Sequence, residues 1–126
     1  MSVIGIGVDL VEVSRIQHSL DRFGERFMKR VFTEGEIAYC VSMKFPARHF
    51  AARFAAKEAA MKAIGTGLRR GVSWQDFEIG REPGGRPTIL INGKAAEFAA
   101  KLGMKRAALS ITHTKEQALA QVILES

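Results

Sequence analysis

The sequence predicts an α+β fold, and three observations carry that reading. The first eleven residues are apolar and rich in β-branched side chains. From about residue 14 to residue 64 the apolar positions recur at helical spacing and are broken by capping signals. After residue 77 short alternating segments are separated by turn residues. A strand, then helices, then antiparallel strands describe mostly antiparallel sheet packed with a long helix.

The opening run from Ser2 to Val11 reads as a buried strand, being nearly continuous in apolarity. Gly5 and Gly7 lie inside it, not after it, and no third glycine follows. A dinucleotide-binding turn is therefore excluded. Ser14 can cap a helix through about Phe23, with Ile16, Leu20 and Phe23 on one side and Arg15 and Arg22 outside. Thr33-Glu-Gly-Glu36 fits a capping box that opens a helix through about Met43. Pro46 is placed to start the longest helix, which runs to Ile64 and stops at Gly65. Gly65-Thr66-Gly67 and Arg69-Arg70-Gly71 then make a basic loop. Phe77 to Ile79 and Thr88 to Ile91 read as strands joined by the turn Glu82-Pro-Gly-Gly-Arg-Pro87. A helix from about Lys94 to Leu102 ends at Gly103, and 107–112 with 117–124 forms a hairpin.

At 126 residues the chain fits one domain spanning 1–126. Its 19 Lys and Arg against 13 Asp and Glu give a formal net charge of +6. That charge suits an acidic partner, such as nucleic acid, anionic membrane, a nucleotide-like cofactor or an acidic protein, or it serves solubility alone. Cys40 is the single cysteine, so no internal disulfide forms, and its apolar surroundings suit a structural thiol. No secretion signal is evident and no apolar run approaches the ~20 residues that cross a bilayer. The cytoplasm is the expected location, without a membrane partner.

The chemistry concentrates in Arg53-Phe-Ala-Ala-Lys-Glu-Ala-Ala-Met-Lys62. Phe50, Phe54, Met61 and Ile64 make an apolar stripe that includes Lys57, with Glu58 and Lys62 along one edge and Arg53 along the other. The simplest account of Glu58 and Lys62 is a surface ion pair at i,i+4. Asp9 suggests more, since it interrupts an apolar strand and a buried carboxylate needs a cation or several donors. One carboxylate on a strand and one on a helix suits Mg²⁺, which takes one or two from a protein and fills its shell with water and phosphate oxygens. Lys62 can neutralise an adjacent pyrophosphate, and the backbone at Gly65 and Thr66 can approach it. Lys44, Arg48 and Arg53 are a candidate cluster for a further phosphate. Ser110 and Thr112 share a strand face that His113 opposes, so Ser110 and His113 cannot form a hydrolase pair.

Gly5-Ile-Gly-Val-Asp9-Leu-Val-Glu-Val-Ser-Arg15-Ile, Phe54-Ala-Ala-Lys57-Glu58-Ala-Ala-Met-Lys62-Ala-Ile-Gly-Thr-Gly67 and Leu109-Ser-Ile-Thr-His113-Thr resemble the signature blocks of holo-acyl-carrier-protein synthases, within the 4′-phosphopantetheinyl transferase superfamily. The likeness runs in order from about Ile4 to Leu124. It implies a small 4′-phosphopantetheinyl transferase-like domain that assembles as a homotrimer with active sites shared between subunits. The implied reaction moves 4′-phosphopantetheine from coenzyme A to a serine of an acyl carrier protein. Mg²⁺ would sit on Asp9 and Glu58, with Lys62 at the pyrophosphate. Arg53 and His113 match positions on the 3′-phosphate side of coenzyme A, and Pro87 and Thr112 match positions near the nucleotide. Arg15 matches an arginine that meets the acidic carrier protein, with Arg22 and Arg26 as neighbours of like charge. Two other readings compete with it. A nucleic-acid-binding domain fits the charge but has no aromatic-rich strand or recognition helix. A non-catalytic adaptor for carrier proteins would not need Asp9, Glu58 and Lys62 together.

Overall fold

The computed structural model describes residues 1–126. In chain order it contains β1 (Val3–Glu12), α1 (Val13–Phe23), α2 (Glu25–Val31), α3 (Glu34–Val41), α4 (Pro46–Ile64), a 3₁₀ turn (Trp74–Asp76), β2 (Phe77–Arg81), β3 (Pro87–Ile91), α5 (Gly93–Lys101), β4 (Arg106–His113) and β5 (Gln117–Glu125). Every strand pairing is antiparallel. One sheet has the order β1-β5-β4, and β2 pairs with β3 as a separate ribbon. No helix is long and apolar enough to cross a membrane.

The long helix α4 lies on the three-stranded sheet and is buried on nearly every side. Seven alanines between Ala51 and Ala63 let it sit close to its neighbours, while Phe50, Phe54, Met61 and Ile64 fill the larger gaps. The expected apolar stripe is thus only part of a helix wrapped by core. The glycines of β1 explain themselves here, because a Cβ at Gly7 or Gly5 would collide with the α4 backbone at Ala59 and Ala63. Pro46 occupies the first turn, and Gly65 closes the helix at φ 90, a left-handed conformation that suits glycine. The Thr33 capping box forms as its spacing requires, with Thr33 accepting from the Glu36 amide and Glu36 accepting from the Thr33 amide.

Three expectations need correction, and one helix has no counterpart among them. The first strand is buried on one face only. Ile6, Val8 and Leu10 are exposed on the other, and the register sets Ile6 beside Ile123 and Leu10 beside Leu119. Apolarity on both faces reads as a strand in a sheet covered on both sides, but in this chain the second face is open. Ser14 does not cap α1, which starts at Val13 after Glu12 without a side-chain cap. Phe23 does not pack with Ile16, but is 46% exposed at the end of the helix. Finally, α2 follows Gly24 directly. Gly24, at φ 54, turns the chain into a seven-residue helix too short and too weakly capped to show in the sequence.

Candidate active site

One flank of α4 carries carboxylates. Lys62 Nζ donates to Asp9 Oδ1 at 2.9 Å and to the Val8 carbonyl at 3.1 Å, so it bonds across to β1 and not along its own helix to Glu58. The i,i+4 surface pair is therefore not what forms. Glu58 is half-buried, and burial first, then the Asp9 charge, raise its pKa above the ordinary carboxylate range; Lys62 and Arg15 oppose that shift. Two carboxylates that repel each other in a partly desolvated notch suit a hard cation. No group of three or more His, Cys, Asp or Glu gathers there. Any ion must complete its shell with water and ligand oxygens, which is the habit of Mg²⁺ and not of structural zinc.

No carboxylate lines the main cavity on the opposite flank. This cavity, of about 330 Å³, lies between α3, α4, β2 and β4. Arg53 is 5% exposed and stacks on Tyr39 with its guanidinium 4.2 Å from the ring centroid. Arg81 covers the same ring at 5.2 Å and donates to the Tyr39 hydroxyl. His49 stands edge-on to Tyr39 at 5.8 Å and to His113 at 5.5 Å. Pro87 lines the rim. Arg53 Nε is buried without a hydrogen-bond partner, an orphan donor on a cation that forms no salt bridge. Such a pocket is built for an anion.

Between the flanks Lys57 is fully buried. Its Nζ donates to Glu36 Oε1 at 2.7 Å, to the Phe77 carbonyl at 2.7 Å and to the Trp74 carbonyl at 3.1 Å. Those three bonds use every N–H of the ammonium. The other Glu36 oxygen accepts from the Ile79 amide at 2.7 Å. Burial holds the Lys57 pKa below its ordinary value against the pull of Glu36. The pair ties α4 to α3 and β2, which fixes both flanks at once.

The expected site residues therefore fall into groups. Asp9, Glu58 and Lys62 meet. Arg53, Pro87 and His113 meet elsewhere. Lys62 follows Arg53 by nine residues, which places it on the opposite side of α4 and about 13.5 Å along the axis. Gly65 and Thr66 stand just beyond the Lys62 end of that helix, and the Thr66 hydroxyl donates locally to the Gly67 carbonyl. Thr112 is exposed on the open sheet face, away from the pocket that His113 lines. Lys44 and Arg48 do not cluster with Arg53; both lie over Phe45, at a separate hollow shared with Lys115. Arg15 and Arg22 on α1 and Arg26 on α2 are all exposed. Cys40 is buried, and burial pushes its thiol up to about 12, so it is no nucleophile. Tyr39, His49, Arg81 and Glu36 escaped the sequence reading. Only Glu36 left a signal, a capping-box glutamate three residues after Thr33.

The sequence profile of the 4′-phosphopantetheinyl transferase superfamily matches residues 5–122. The chain belongs to that superfamily. Within it the likeness is to holo-acyl-carrier-protein synthases. The chain is 60% identical over 123 residues to the synthase of Koribacter versatilis, covering 98% of each. It superposes with a TM-score of 0.89 on the crystal structure of the Neisseria meningitidis synthase, at 35% identity and covering 99% of this chain and 100% of that one. The Helicobacter pylori synthase, solved in complex with coenzyme A, aligns with a TM-score of 0.83 at 30% identity, covering 95% and 99%. The transferase fold is thus an α+β arrangement of antiparallel sheets and helices, as the sequence pattern predicts.

Proposed function

We propose that this chain is a holo-acyl-carrier-protein synthase that transfers 4′-phosphopantetheine from coenzyme A to a serine of an acyl carrier protein, releasing 3′,5′-ADP for fatty acid biosynthesis. The observation that carries the reading is the division of charge across α4: Asp9, Glu58 and Lys62 on one flank, an acid-free arginine and histidine pocket on the other. Coenzyme A has a pyrophosphate and a separate 3′-phosphate, which need two such places. Its relatives bear the synthase name, and one was solved with coenzyme A.

Asp9 and Glu58 are the residues that would hold Mg²⁺, which supplies charge neutralisation at the pyrophosphate when bound. Lys62 is poised at the same spot, with its ammonium already directed to Asp9. Gly65 and Thr66 follow at the helix end, where backbone amides can approach phosphate. The nucleophile is the serine hydroxyl of the carrier protein, in keeping with the inert Cys40. Its oxygen forms a bond to the β-phosphorus, the bond from that phosphorus to the 3′,5′-ADP leaving group breaks, and the hydroxyl proton is released to solvent. Exposed Arg15, Arg22 and Arg26 offer the acidic carrier protein a basic face, and Arg15 lies close enough to act on the Glu58 charge.

The two flanks of one chain are divided by α4 itself, so a homotrimer with shared sites is the natural assembly. A second copy can bring its Arg53, Pro87 and His113 pocket toward the carboxylates of the first. The exposed apolar face of Ile6, Val8, Leu10 and Leu119 supplies a surface for that contact, and Thr112 lies on the same face. In this reading residues 1–126 act as one transferase domain in the cytoplasm.

Intact-mass spectrometry of an apo acyl carrier protein mixed with this protein, coenzyme A and Mg²⁺ tests the proposal. A gain of one phosphopantetheine that EDTA prevents supports it. No gain with several verified apo carriers, from folded protein that binds coenzyme A, would favour the adaptor reading instead.

A further inference from the structure

The arginine pocket contains a second imidazole, His49, that no motif announces. It is half-buried on α4, one helical turn before Arg53, with its ring between those of Tyr39 and His113. The groups that face it come from four elements: Tyr39 from α3, Arg53 from α4, Arg81 from β2 and His113 from β4, while Arg48, turned to another hollow, acts only through its charge. No carboxylate lines the cavity. One acid, Glu82 in the turn after β2, lines an adjoining hollow with Arg53 and Arg81.

We propose that His49 is a proton-linked recognition residue for a phosphate monoester, neutral in the free protein and protonated once the dianion enters the pocket. The inference rests on the coenzyme A reading above and assigns the 3′-phosphate as that group. A neutral imidazole offers one N–H, whereas an imidazolium offers two and a charge. In the free protein, burial and then the charges of His113, Arg53, Arg81 and Arg48 hold the His49 pKa below its ordinary value. A phosphate monoester carries about −1.5 to −2 charges near neutrality, which opposes the field that the surrounding cations impose. The orphan Nε of Arg53 is a further donor waiting on the same side of the helix.

The sign of the pH effect follows. Binding raises the His49 pKa, so a proton is taken up between the free and bound values. Affinity is full below the free value and falls as pH rises through that window, by at most tenfold per pH unit for one proton. Loss of the second phosphate proton near pH ~6 acts in the opposite direction, so the histidine effect is read above about pH 6.5.

Titration calorimetry tests this with coenzyme A and with dephospho-coenzyme A, which lacks only the 3′-phosphate. Native protein, His49→Phe and His49→Gln are each measured between about pH 6.5 and 8, in two buffers of different ionisation enthalpy. The native protein should take up a substantial fraction of a proton with coenzyme A, and its affinity should weaken several-fold over that range. Dephospho-coenzyme A should show neither effect, and both variants should lose most of the uptake. Equal uptake for the two ligands by native protein would overturn the inference whatever the variants do. So would uptake that survives in both His49 variants, including the case where only His113→Gln removes it. If native protein binds no coenzyme A at all, the functional reading fails and this inference falls with it.

Discussion

The two flanks of α4 use one helix for opposite electrostatic purposes. On the β1 side, two carboxylates share a notch with a single lysine, and the Glu58 carboxyl is strained toward its neutral form by burial and by Asp9. On the β4 side, arginines and histidines line a cavity that no acid lines, and Arg53 keeps an unpaired donor. The first arrangement wants a cation and the second an anion. Neither makes sense as a stabilising device, because unpaired buried charge costs stability. Lys57 shows the contrast, since it is buried more deeply than either and every one of its donors is satisfied.

The sharpest way to break this comparison is Glu58→Gln, which should leave the fold intact and lower transfer by about a thousandfold, the effect of losing several kcal/mol of charge stabilisation. Carrier-protein mass spectrometry beside circular dichroism checks it, and near-native turnover would sink the carboxylate assignment. Lys57→Met should act on both flanks together, because it leaves Glu36 buried and unpaired. A loss of about 3–5 kcal/mol in urea unfolding is expected, against less than about 1 kcal/mol if the pair is incidental. Arg53→Gln should touch only the anion side. Coenzyme A affinity should drop by roughly ten- to a hundredfold while dephospho-coenzyme A changes little, since a hydrogen bond to a charged group contributes about 1.5–3 kcal/mol. An equal loss for both ligands would assign Arg53 a packing role. The smallest effect belongs to Arg22→Ala with Arg26→Ala. The KM for carrier protein should rise by about tenfold or less, more at low salt than at high, with coenzyme A affinity unchanged. A KM insensitive to salt in both proteins would move the docking face elsewhere.

The carboxylate flank was legible in the sequence and the anion flank only partly so. Asp9 stands out because a charge inside an apolar strand demands a reason, and Glu58 and Lys62 lie one helical turn apart. The pocket needs α3, β2 and β4 to converge on α4, so Tyr39, His49 and Arg81 carry no periodic signal of their own. Charge alone groups Arg53 with Lys44 and Arg48, and the fold sends those two to another hollow. Glu36 was visible as a helix cap; its second oxygen and its bond to Lys57 depend on contacts more than twenty residues away, which local pattern does not encode. The elements followed the same rule. Strong local signals placed α3, α4 and the β4–β5 hairpin, whereas α2 has no cap and covers only seven residues. The first strand misled for an instructive reason. Its outer face is as apolar as its inner one, although nothing in this chain covers it.

The most direct test is whether the two flanks of neighbouring copies form one site. Glu58→Gln and the double variant Arg53→Gln with His113→Gln should each be nearly inactive at low coenzyme A. Co-refolded from an equal mixture, they should recover roughly a quarter of native activity, because a quarter of the interfaces then join two unaltered flanks. If the mixture stays as inactive as its parents while still forming trimers, each site lies within a single chain and the division of labour across α4 is wrong.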